Sequence, residues 1–146
     1  MRSLGLDIGD KRIGVAVSDP LGMLARPLLV LENSGKESTV AEILKLVEQY
    51  QAEHIIVGLP LAMDGGMGLQ AEKIKVLAEK LRLKTQVPLE YRDERGTTAQ
   101  AKSILEGTGK KKKGAFVKKG SYDAIAAAVI LQSYLNETQP LVYPEE

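Results

Sequence analysis

Four carboxylates stand where an ordinary solvent-facing charge would be out of pattern. Asp7 sits in the apolar stretch of "LGLDIGDKRIGVAVSD", Asp93 and Glu94 follow "VPLEY", and Asp123 opens the apolar run "AIAAAVIL". Carboxylates that converge repel one another, and a divalent cation with oxygen ligands, Mg²⁺ or Mn²⁺, relieves that repulsion. Each acid also has a plain structural use. Asp123 in the first turn of a helix is favoured by the helix dipole. Asp7 can head an Asx-type turn. Asp93 and Glu94, beside Arg92 and Arg95, can form an exposed ion-pair patch worth under about 1 kcal/mol. Only convergence in space separates the two readings.

The elements that must position these acids follow from hydrophobic periodicity. Leu4, Leu6 and Ile8 alternate with Gly5 and Asp7, and Ile13, Val15 and Val17 alternate with Gly14 and Ala16. The pattern predicts two strands, 3–8 and 13–17, joined by a tight Gly-Asp-Lys turn into an antiparallel hairpin. Gly5, Asp7, Gly14 and Ala16 share its small face, which lets a helix approach closely or leaves room for a ligand. Residues 25–31 read as a third strand, placed at an edge by Pro27. Thr39 and Glu42 suggest a capping box for a helix striped by Val40, Ile43, Leu44 and Val47. A strand over 54–60 and a helix carrying Ile74, Leu77, Ala78 and Leu81 come next. They are followed by a strand over 87–91, a short helix over 98–106 and an apolar helix over 121–135.

The resulting order, β-β-β-α-β-α-β-α-α, predicts an α/β fold: a mixed five-stranded sheet, antiparallel at first and then parallel, with helices on both faces. Strands one and five then end at the same edge, where ligands of open α/β sheets bind. Length and composition fit one domain over residues 1–146, with no cysteine and 44% hydrophobic residues. No apolar run reaches bilayer length, and a soluble cytoplasmic protein is expected. Net charge is only +1, yet six lysines fall between residues 110 and 119 in "KKKKGAFVKK", leaving 14 basic against 19 acidic residues elsewhere. A mildly acidic body thus carries one lysine-rich loop, 108–119, expected to be flexible. With one phenylalanine, five tyrosines and no tryptophan, there is little material for stacking bases. His54, at the entrance of an apolar strand, reads as structural.

"DIGDKRIGVAVSD", "IIVGLP", "RDERGTT" and "YDAIAAAVILQSYL" together resemble the YqgF/RuvX family, Holliday-junction-resolvase-like proteins of the RNase H superfamily. The resemblance spans essentially the whole chain in order and spacing. It implies an RNase H-like fold and a cytoplasmic nuclease that processes the 5′ end of pre-16S rRNA, with a Holliday-junction-type DNA endonuclease as the alternative. By position, the family's strand-one acid falls on Asp7, the acid of its "DER" motif on Glu94 with Asp93 beside it, and the acid opening its last helix on Asp123. Gly96 departs from the large apolar residue common after that motif.

The mechanism so implied is metal-assisted phosphodiester hydrolysis, with Asp7, Glu94 and Asp123, or Asp93 in place of Glu94, holding Mg²⁺ or Mn²⁺. Lys11, Arg12 and Arg95 are candidate phosphate ligands, although Arg12 and Arg95 serve equally well in structural ion pairs. Lys110, Lys111, Lys112 and Lys113 would track a nucleic-acid backbone, pre-rRNA or branched DNA. Two other readings compete. A nucleotide-cleft ATPase of the actin and sugar-kinase type uses a similar opening hairpin but needs two such halves. A nucleic-acid-binding module could keep this fold without turnover. Monomer and homodimer both remain open.

Overall fold

The computed structural model describes residues 1–61, 66–93 and 121–138. Expectations for Glu94, Arg95, Gly96, the helix over 98–106, the lysine loop 108–119 and part of "MDGGMG" lie outside the described residues. The elements follow in the order β1 (Ser3–Ile8), β2 (Arg12–Ser18), β3 (Ala25–Glu32), α1 (Lys36–Gln49), β4 (His54–Leu59), α2 (Leu69–Lys84), β5 (Leu89–Asp93) and α3 (Ser121–Thr138). The sheet order is β3-β2-β1-β4-β5, antiparallel from β3 to β1 and parallel from β1 to β5. This is the mixed five-stranded sheet that periodicity predicted.

Alternation along the strands sorts side chains onto two faces. Leu4, Leu6 and Ile8 of β1, with Ile13, Val15 and Val17 of β2 and Ile55 and Val57 of β4, bury against Val40 and Ile43 of α1 and Ile74, Leu77 and Leu81 of α2. On the other face Ala16 and Ile56 pack with Ala127, Ile130, Leu131 and Leu135 of α3. Small residues bring α3 close: a Cβ on Gly5 would lie 2.8 Å from Leu131 Cβ, and one on Gly14 only 1.8 Å from the Asp123 carbonyl oxygen. The helix runs antiparallel to β1. Its first turn lies over Gly14, and its later residue Gln132 accepts from the Ala25 amide (2.8 Å) and donates to the Met23 carbonyl (2.9 Å) at the far end of the sheet.

Two boundaries differ from expectation. The capping box does not form, because the N-cap is Gly35, four residues before Thr39; Thr39 is inside the helix, its amide bonded to the Gly35 carbonyl (2.9 Å). The fifth strand is Leu89–Asp93 instead of 87–91. Pro88 lacks an N–H and can only accept, which it does from the Ile55 amide at 2.9 Å, so the ladder begins at Leu89. Asp93 is therefore the last residue of the strand and not the first residue beyond it. Pro27 does lie on an edge strand, opposite Ala16, where the β2–β3 register shifts.

Candidate active site

Asp7 is the last β1 residue to point toward α3. Its cross-strand partner is Gly14, and Gly14 is the residue whose missing side chain admits the first turn of α3. Register and close approach together therefore bring Asp123 to Asp7 at the carboxyl end of β1. The proximity is felt electrostatically. The Asp7 carboxyl is pushed up to about 6, first by burial and second by the negative charge of Asp123.

Arg12, the first residue of β2, donates its Nε–H to Asp123 Oδ2 at 2.9 Å. The pair is half-exposed and ties the hairpin to α3. It satisfies Asp123 but leaves Asp7, which takes no hydrogen bond from any described residue. The Asx-turn alternative for Asp7 is not what is seen: the β1–β2 turn is closed by the Gly9 amide bonding the Arg12 carbonyl at 2.9 Å. The dipole alternative for Asp123 holds, since it lies in the first turn of α3, and so does the ion-pair alternative for Arg12, which Asp123 partners.

The other singled-out residues divide clearly. Lys11 is exposed in the turn beside the acids, and its carbonyl accepts from the Asn33 amide at 2.9 Å. Asp93 is exposed at the end of β5, level with Leu59. Leu59 belongs to the core on the α1 and α2 side, so that row faces away from Asp7. Among the described residues no group of three acid, histidine or cysteine side chains gathers to hold a metal; Glu94 lies outside them. His54 is at the opposite end of the sheet, 2.9 Å from Glu90 and with its ring tilted against that of Tyr134, centroids 5.8 Å apart. That is a structural use, as expected.

One contact escaped the sequence. Arg92 reaches α3 through Ser133 (2.7 Å) and a two-pronged pair with Glu137, and the Glu137 carboxyl is held below its usual range by this bond. Partners 41 and 45 residues apart share no local pattern that could announce them. Their effect is to fasten the far end of α3 to β5, so the helix that carries Asp123 is anchored at both ends.

Two carboxylates, one half-buried and without a donor among the described residues, are hard oxygen ligands of the kind that suits Mg²⁺ or Mn²⁺. The residues present therefore fit a divalent cation.

Comparison with known proteins places this arrangement. The family model described as RuvX, Holliday junction resolvase, matches residues 1–137. Relatives named pre-16S rRNA nuclease include those of Desulforudis audaxviator, 41% identical over 138 residues (93% of this chain, 94% of that protein), and Halothermothrix orenii, 42% identical over 137 residues (93% and 95%). That of Lactobacillus gasseri is 42% identical over 142 residues (95% and 98%). Among solved structures, Thermus thermophilus RuvC in complex with a Holliday junction substrate superposes with a TM-score of 0.58 at 19% identity, covering 94% of this chain and 96% of that one. The fowlpox virus Holliday junction resolvase gives 0.58 at 15% identity, covering 94% and 99%. The fold shared with them is RNase H-like.

Proposed function

This chain belongs to the RuvX family of Holliday junction resolvases, and from that membership we propose that it is a metal-dependent, cytoplasmic nuclease trimming the 5′ end of pre-16S rRNA, its residues 1–146 acting as one domain. Nuclease activity is the part its relatives share by name. The observation that carries the reading is Asp7: a half-buried carboxyl raised to about 6 by desolvation and by Asp123. A fold that keeps two acids together where one apolar side chain would pack better has a use for their charge.

In this reading Asp7 and Asp123 hold Mg²⁺ or Mn²⁺ with Glu94 as third ligand, preferred over Asp93 because Asp93 is level with Leu59. Such an ion, when bound, lowers the pKa of a water and stabilises charge on the attacking and leaving oxygens. The chain's own groups do the rest. Asp7, desolvated at the strand end, presents its oxygens toward α3 with little freedom. Arg12 holds Asp123 through Nε, which fixes that carboxylate's orientation, and a guanidinium has further N–H donors for a phosphate. Lys11, exposed in the turn, and Arg95, next to Glu94 in the sequence, are the proposed phosphate ligands, and Lys110 to Lys113 are proposed to follow the backbone of the bound strand.

The test is cleavage of a pre-16S precursor RNA and of a four-way DNA junction, each with Mg²⁺ or Mn²⁺. Trimming of the RNA near the mature 5′ end supports the proposal. Cutting of the junction alone would instead favour the branched-DNA reading, which the family's description supports, and binding without cutting would favour a non-catalytic module. Mass in solution bears on the same choice, because symmetric cleavage of a junction needs two active sites and trimming needs one.

A further inference from the structure

Behind the acidic edge, on the opposite face of the sheet, lies a cavity of about 420 Å³, within the range of small-molecule sites. Its floor is apolar, made by Ile8, Ile74 and Leu77, and its rim is polar, with Asp10, Gln70 and Lys73. Lys73 Nζ stands 3.9 Å from Asp10 Oδ1, both side chains exposed. One wall is fixed by Asn33, whose amide side chain donates to the Gly9 carbonyl at 2.8 Å and whose backbone N–H donates to the Lys11 carbonyl at 2.9 Å. The β1–β2 turn is thereby fastened to the loop before α1. The β1–β2 turn separates the cavity from the candidate active site: Gly9 and Asp10 line the cavity, and Arg12 bonds Asp123 on the other face. Ile8 faces the cavity, and Asp7, one residue earlier, faces α3.

We propose that this cavity receives an unpaired nucleobase of the strand whose phosphodiester lies at Asp7 and Asp123; the occupant is taken from the nuclease reading, on which the inference rests in that respect. A base is a flat, largely apolar body with hydrogen-bonding edges, joined to an anionic backbone. The lining matches that order: aliphatic side chains at the bottom, an amide at the mouth, and the Lys73 ammonium where sugar and phosphate emerge. A strand that crosses the sheet edge at Gly9 and Asp10 passes from the acids on one face to the cavity on the other. Among the described residues no aromatic side chain lines it, so burial among aliphatic groups, and not stacking, is what these residues offer a base. A pocket of this kind favours substrates with a single-stranded or frayed segment next to the cleavage site over fully paired ones.

The experiment measures binding in EDTA, so that turnover plays no part, to a series of RNA strands each carrying one abasic residue. Wild type is expected to bind one member of the series about tenfold more weakly than the intact strand, a difference of about 1.4 kcal/mol. Gln70→Phe and, further along the same helix, Val76→Trp occlude the cavity at exposed positions. Each should erase that difference while leaving the melting temperature unchanged. Equal binding of all strands by wild type, or a difference that survives both substitutions, would overturn the inference. Cleavage with no abasic effect would remove the base pocket and leave the nuclease intact; an abasic effect without cleavage would do the reverse.

Discussion

Asp7 and Asp19 carry the same side chain, and the fold treats them in opposite ways. Asp19 accepts the backbone amides of Met23 (2.7 Å) and Leu24 (3.0 Å) in the β2–β3 turn, and those bonds hold its carboxyl below the usual range. Asp7 has burial and a neighbouring negative charge, which push it up to about 6 from 3.8. An acid whose folded pKa exceeds its unfolded one opposes folding when ionised. The unfolded chain releases the proton near pH 4 and the folded chain near pH 6, so the folded state binds more protons between them and stability falls as pH rises through that window. Asp7→Asn removes the penalty. Without metal, thermal melts should show the variant more stable than wild type by about 1–3 kcal/mol at pH 7.5 and nearly equal at pH 4. The same titration governs metal binding, because a cation must displace a proton from Asp7 below pH 6. Calorimetric affinity for Mn²⁺ should fall about fivefold from pH 6 to pH 5 and change little from 7 to 8.

At the scale of elements, Gly14 decides where Asp123 stands. A Cβ there would sit 1.8 Å from the Asp123 carbonyl oxygen, a contact that only displacement of the first turn of α3 can relieve. Gly14→Ala is expected to cost about 1–3 kcal/mol in denaturant unfolding and to lower cleavage by more than that loss of stability explains, since Asp123 moves with the turn. Much of this was legible in the chain. Alternation in residues 3–8 and 13–17 marked the hairpin, and the small face of Gly5, Gly14 and Ala16 offered either close helix packing or room for a ligand, of which the structure shows the helix. What was not legible came from competition between equally local signals. The Thr39 and Glu42 spacing looked like a helix start, but the chain was already free to turn at Gly35. Pro88, inside an apolar run, moved the fifth strand two residues on, which set Asp93 at its end. The Arg92–Glu137 fastening depends on contacts that no short-range pattern encodes, and the convergence of Asp7 with Asp123 needed the three-dimensional register to be seen at all.

For the whole molecule, charge is uneven: six lysines fall between residues 110 and 119, and the rest carries an excess of acids. In the proposed reading, non-specific attraction to nucleic acid depends on those few positions. Replacing Lys110, Lys111, Lys112 and Lys113 by alanine should weaken RNA binding at low salt and reduce the slope of log affinity against log salt by about 3. An unchanged slope would place the contacts elsewhere. Among the described residues no helix is long and apolar enough to cross a membrane, and the acids, the hairpin cations and the lysines all serve one polyanion in this reading. The central claim is that Asp7 and Asp123 form one metal-dependent hydrolytic site, and single-turnover cleavage of pre-16S precursor RNA with Mn²⁺ tests it most directly. Asp7→Asn and Asp123→Asn, each folded by its melting curve, are expected to lose at least about a hundredfold in rate while binding the RNA as wild type does. Wild-type cleavage rates in both variants would contradict the claim.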